Sequence, residues 1–173
     1  MATEFIRERS FVANGLTLTA KEWGRSGSIP VIALHGWLDN AASFDRMLPF
    51  LDNVHVVALD LAGHGCSSHR SEDASYDIWF DIAEVISVAD QMGWDRFALL
   101  GHSRGAIISG LIAGTFPDRI TSLVLIDGYV PMPQEPADAA KQIMKAIREN
   151  KRFAATTPTQ FENFDRAIQA RVN

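Results

Sequence analysis

The sequence predicts an α/β domain built on a mostly parallel sheet, and three observations carry that prediction. Residues 31–34, 54–59, 97–100 and 123–126 are compact apolar runs, continuous rather than alternating, as in strands buried on both faces. Between them lie segments with helical periodicity, so the order reads βαβαβαβ, the pattern of parallel strands joined by crossover helices. The 173 residues, 47% hydrophobic and 21% charged, suit one globular core rather than a disordered chain.

The elements follow in chain order. Residues 5–12 and 16–23 flank Asn14-Gly15, a dipeptide that tolerates positive φ, and predict an N-terminal β-hairpin. After a Gly/Ser/Pro loop at 24–30 comes the first apolar strand, 31–34. Residues 43–51 predict a helix with Phe44, Leu48 and Leu51 inward, although Pro49 falls in its last turn. The second apolar strand is 54–59. Ile78, Ile82, Val85, Ile86, Ala89 and Met92 form one face of an amphipathic helix that starts near Ser75 or Asp77 and stops at Gly93. Strand 97–100 leads into a helix over 104–115 whose Gly105, Ala106, Ser109, Gly110 and Ala113 permit close approach to neighbouring strands. Beyond strand 123–126 the pattern breaks at Pro131, Pro133 and Pro136. Polar, helix-prone segments at 137–152 and 160–171 follow, which divides the chain into a core over 1–130 and a helical segment over 131–173.

Composition excludes several function classes. Sixteen Lys+Arg against 21 Asp+Glu give a net charge of −5, the wrong sign for a nucleic-acid binder. A membrane span needs about 18 consecutive apolar residues, and the longest uncharged stretch, 105–117, is shorter and interrupted by Ser109 and Thr115. Glu4, Arg7, Glu8 and Arg9 break any signal-peptide apolar region. The one cysteine, Cys66, reads as a small buried residue that forms neither an internal disulfide nor a zinc site. These features predict a cytoplasmic protein without a metal site.

The sharpest chemical signal is Gly101-His102-Ser103-Arg104-Gly105 between a predicted strand and a predicted helix. In G-x-S-x-G the serine occupies a strained turn that lifts its hydroxyl above the sheet, and glycines two before and two after relieve backbone crowding. The helix start leaves backbone N–H groups free to stabilise negative charge. Arg104 N–H is the first candidate oxyanion donor. The second is Trp37 N–H, in the His35-Gly36-Trp37 loop that follows the first apolar strand. His35 and His102 read as structural, and His64 as a loop residue bonded locally. Asp60 reads as an anchor for the loop after its strand. Trp37 either shapes an acyl pocket or fills the junction between core and helical segment. Lys141, Lys145, Arg148, Lys151 and Arg152 read as a solvated helix face, and the apolar Ile143, Met144 and Ile147 need cover.

The hairpin, the HGW loop, the 60–67 loop and the GHSRG turn together resemble the α/β-hydrolase superfamily. Within it, HGWLDNAASFD followed by DLAGHGCSSH most resembles the serine hydrolase-like proteins. The resemblance implies a hydrolase with Ser103 as nucleophile and the Trp37 and Arg104 amides as oxyanion hole, and the expectation built on it is a serine hydrolase that acts on a small ester-like molecule through an acyl-enzyme with no metal or organic cofactor. It implies that the helical segment is the start of a cap. Certain haloalkane dehalogenases resemble this arrangement with a catalytic acid at the position of Asp127, but a strand end is also a common site for a capping aspartate, which is the favoured reading.

The superfamily order is nucleophile, acid, histidine, yet all five histidines (35, 55, 64, 69 and 102) precede Ser103. The sequence is therefore expected to be the N-terminal part of such a domain, with little activity alone. The strand at 123–126 is expected to be an open sheet edge, fit for self-association or for a complementing chain. A non-catalytic interaction module is the competing expectation.

Overall fold

The computed structural model describes residues 4–71, 73–128, 135–154 and 160–172. The chain forms two compact units, Met1–Met132 and Pro133–Asn173. The first holds strands β1 (Phe5–Ala13), β2 (Leu16–Gly24), β3 (Ile29–Leu34), β4 (Val54–Leu59), β5 (Phe97–His102) and β6 (Ile120–Ile126), with helices α1 (Ile78–Gln91) and α2 (Arg104–Thr115). The second holds α3 (Ala139–Ala154) and α4 (Phe164–Val172).

The six strands form one sheet in the order β1-β2-β4-β3-β5-β6. The hairpin β1/β2 and the pair β2/β4 are antiparallel, whereas β4/β3, β3/β5 and β5/β6 are parallel. Strand alternation sorts the core into two faces. Ile32, Leu34, Val57, Leu59, Phe97 and Leu99 face Ile82, Val85 and Val88 of α1 and Ile108 and Ile112 of α2. Val31, Ala33, Val56, Ala58, Ala98 and Leu100 face Phe44 and Leu48. Each fully buried Leu, Ile or Val adds about 1.5–3 kcal/mol, so a one-residue slip in β3 or β5 would exchange both faces and forfeit that burial.

Two expectations about these elements need correction. Residues 43–51 do not form an α-helix. They form two 3₁₀ turns, Ala41–Phe44 and Leu48–Phe50, although Phe44 and Leu48 are buried as expected. Pro49 has no N–H to give an α-helical bond, and the segment closes instead through three-residue bonds such as Asp45 N–H to Ala42 O and Leu51 N–H to Leu48 O. The apolar run of β6 is not buried on both faces. Among the described residues it pairs only with β5, and Leu123, Val124 and Ile126 are 39%, 51% and 38% exposed. In the second unit Ile143, Met144 and Ile147 of α3 are also exposed, and Lys141 pairs with Asp138.

The strand order positions the site. The chain runs from β3 outward to β4, then returns past β3 to β5, so the crossovers diverge between β3 and β5. Ligands of open parallel sheets sit at the carboxyl ends of strands where the order reverses. The two loops leaving that point carry His35-Gly36-Trp37 and Ser103.

Candidate active site

Ser103 links β5 to α2 with φ 50° and ψ −112°, a backbone state that non-glycine residues rarely hold. The surroundings impose it. Ser103 N–H donates to Ile126 O at the end of β6 (2.9 Å), and Ser103 O accepts from Ala106 N–H (3.0 Å) and Ile107 N–H (3.2 Å). Gly105 N–H donates to His35 O (3.1 Å), tying the start of α2 to the loop after β3.

Close packing explains the flanking glycines. A Cβ at Gly101 would lie 2.4 Å from Gly105 O, and one at Gly105 would lie 2.0 Å from Leu34 O. The motif reading missed a further member of this packing. A Cβ at Gly128 would lie 2.7 Å from both Ser103 O and the Ala106 Cβ. Gly36 is the milder case, since a Cβ there would meet His102 Nδ1 at 3.0 Å and Ser103 Cβ at 3.3 Å.

The two expected oxyanion donors stand at the same end of the sheet. Among the described residues, neither Trp37 N–H nor Arg104 N–H has an acceptor. The Trp37 side chain is 49% exposed, and its ring meets the His64 ring edge-on with centroids 5.3 Å apart. The Arg104 guanidinium lies over the Trp37 ring at 5.4 Å, donates to Tyr76 O (3.3 Å) and pairs with the Asp81 carboxylate.

Sequence reasoning missed the ionic cluster beneath this loop. Asp81 and Glu84 of α1 are 2% and 1% exposed. Arg70 bridges them, with its nitrogens 3.5 Å from Asp81 Oδ1 and 2.7 Å from Glu84 Oε1. Burial pushes both carboxyls above their ordinary pKa, against the opposing pull of Arg104 and Arg70 on Asp81 and of Arg70 on Glu84. A helical wheel carried the signal: residues 81, 84, 85 and 88 share one arc, so the apolar face of α1 contains two carboxylates.

Among the described residues no histidine is hydrogen-bonded to Ser103. His35 is fully buried, with Nδ1–H donating to Gly36 O (2.7 Å) and Nε2 accepting from Leu61 N–H (3.0 Å). Burial lowers its pKa, so the ring is neutral with both nitrogens engaged. His64 Nδ1–H donates to Ala62 O (3.0 Å) and His69 meets the Tyr76 hydroxyl (3.1 Å). His55, at the opposite end of β4, pairs with Glu22 (2.8 Å). His102 packs against Gly36 and makes no hydrogen bond to Ser103.

Asp127 follows β6 with φ 47° and is exposed, one residue beyond the carbonyl that receives Ser103 N–H. Asp60 anchors its loop as expected, accepting from Ala41 N–H (2.7 Å), Cys66 N–H (2.9 Å) and the Thr19 hydroxyl (2.9 Å). Cys66 corrects its own expectation, because it is exposed rather than buried. The turn that places its N–H on Asp60 leaves its side chain outside the core. No group of three metal-ligating side chains occurs among the described residues, and no described helix is long and apolar enough to cross a membrane.

The model of the alpha/beta hydrolase fold family matches residues 29–167. The chain belongs to that family. A human serine hydrolase-like protein is 43% identical over 111 residues, which cover 64% of this chain and 55% of the relative. The crystal structure of a hypothetical protein from Pseudomonas aeruginosa PAO1 superposes with a TM-score of 0.89 at 43% identity, covering 96% of this chain and 59% of the other. Epoxide hydrolase A from Mycobacterium thermoresistibile superposes with a TM-score of 0.70 at 30% identity, covering 82% and 44%. The chain thus spans about half the length of the hydrolase relatives it matches.

Proposed function

We propose that this chain supplies the nucleophile and oxyanion hole of a serine hydrolase that acts on small ester-like substrates through an acyl-enzyme. The observation that carries the reading is Ser103 held at φ 50° between two glycines that admit no Cβ, at the point where the strand order reverses. The Ser103 Oγ–H proton passes to a base as Oγ attacks the substrate carbonyl carbon. The C=O electron pair moves to oxygen, where Trp37 and Arg104 N–H groups hold it, and collapse expels the alcohol. Water repeats the sequence on the acyl-enzyme and frees the acid. Each oxyanion donor contributes on the order of 10²–10³ in rate.

The base comes from polypeptide other than residues 1–173, which contain no histidine after His102. The side of β6 that no described strand pairs with is the point of attachment in this reading, because Ser103 N–H is already bonded to the end of that strand. The hydrolase names of the relatives favour this chemistry over the non-catalytic module. The serine at the elbow favours acyl transfer in particular.

The test is p-nitrophenyl acetate hydrolysis by this chain extended with the remainder of the Pseudomonas relative. The expected result is a burst of nitrophenolate followed by slower turnover, both lost in Ser103→Ala. Turnover that persists undiminished in Ser103→Ala would refute the assignment.

A further inference from the structure

The two oxyanion donors come from different loops, so their spacing depends on what ties those loops together. One tie is backbone, from Gly105 N–H to His35 O (3.1 Å). The other runs through side chains: the Arg104 guanidinium lies over the Trp37 ring at 5.4 Å while pairing with Asp81 on α1. Asp81 is 2% exposed among Ile82, Val85 and Val88, where an apolar side chain would pack without the several kcal/mol that burying a carboxylate costs. A charge at that position is explained by what it holds.

We propose that Asp81 is a positioning residue for the oxyanion hole: it fixes the Arg104 side chain against the Trp37 indole and thereby sets the separation of the two N–H groups those residues contribute. Arg70, held in turn by Glu84, faces the second Asp81 oxygen at 3.5 Å and keeps the carboxylate oriented toward Arg104. His64 abuts the Trp37 ring edge-on and limits its motion. The inference rests on the reading of Ser103 as an acyl-accepting nucleophile.

The test needs no histidine. In a Ser103→Cys, Cys66→Ser background the introduced thiol is the only one, and it ionises without a partner base. Two reactions of that thiolate are then compared. Acylation by p-nitrophenyl acetate forms an S–C bond at the carbonyl, develops an oxyanion and expels p-nitrophenolate. Alkylation by iodoacetamide forms an S–C bond at a saturated carbon, expels iodide and develops no oxyanion. The ratio of the two rates reads the oxyanion hole with thiolate content and access divided out.

The expected result is a ratio about tenfold lower in Asp81→Asn and in Trp37→Ala. Trp37 is half exposed, so Trp37→Ala decides the matter if Asp81→Asn does not fold. Ratios unchanged in both variants, or both rates falling together, would overturn the proposal and leave Asp81 a structural ion. A background ratio no higher than that of free N-acetylcysteine would instead show that there is no oxyanion hole to position, which refutes the underlying reading as well.

Discussion

Replacing Gly105 by alanine should unseat the elbow, whereas the same change nine residues later in the same helix should strengthen it. A Cβ at Gly105 would lie 2.0 Å from Leu34 O and 2.8 Å from His35 O. An ordinary C···O contact is about 3.3 Å, so the start of α2 must move by more than 1 Å from β3. Overpacking against side chains that can yield costs about 1–3 kcal/mol. Here the obstacle is the backbone of a strand whose Leu34 is fully buried, and the Gly105 N–H bond to His35 O, worth about 1 kcal/mol, is lost with it. The expected loss is about 3–4 kcal/mol, a large share of a typical domain's 5–15 kcal/mol. Gly114 is exposed, with nothing within 4 Å of an added Cβ, so Gly114→Ala should gain about 0.5–1 kcal/mol from helix propensity alone. Urea unfolding followed by tryptophan fluorescence measures both. Gly105→Ala within about 1 kcal/mol of the parent would refute the packing account of the elbow.

Two further predictions follow from buried polar groups. The His35 pKa lies below its ordinary 6.5, so between the two values the unfolded chain binds a proton that the folded chain refuses. The associated stability is present above pH 6.5 and is lost as pH falls toward the folded value. His35→Gln should flatten that part of the curve, and an unchanged slope in denaturant titrations from pH 7.5 to 5 would contradict it. Asp60 accepts three hydrogen bonds on two carboxylate oxygens, and an amide nitrogen accepts none. Asp60→Asn should therefore cost about 2–4 kcal/mol in the same assay, and a cost under about 0.5 kcal/mol would show that the 60–67 loop is held otherwise.

The parts of this structure legible in the sequence are those where one physical cause dominates. Strands β3, β4 and β5 lie in the middle of the sheet, so burial on both faces wrote itself as unbroken apolar runs. The elbow was legible because a positive-φ serine at a helix start leaves so little room that glycine must flank it. Residues 43–51 misled because Phe44 and Leu48 have helical spacing whether the backbone closes through three-residue or four-residue bonds, and only Pro49 pointed to the shorter ones. Cys66 misled because apolar character predicts burial on average, while a loop anchored through its backbone amide leaves the side chain outside. The Asp81 cluster went unread for a different reason: the periodic apolar residues of α1 were sought and the carboxylates on the same arc were not. Gly128 carried no motif signal at all, since its role depends on the end of β6 reaching the elbow in space.

We propose that residues 1–173 hold the nucleophile and its oxyanion donors while the base lies on other polypeptide. Intact mass after incubation with a fluorophosphonate tests it most directly, with the 173-residue chain, the same chain extended by the remainder of the Pseudomonas relative, and Ser103→Ala of each. The expected result is a stoichiometric adduct on the extended chain, its loss in Ser103→Ala, and little or none on the 173-residue chain. A full adduct at Ser103 on the 173-residue chain alone would contradict the claim that the base lies elsewhere, and no adduct on the extended chain would contradict the role of Ser103 itself.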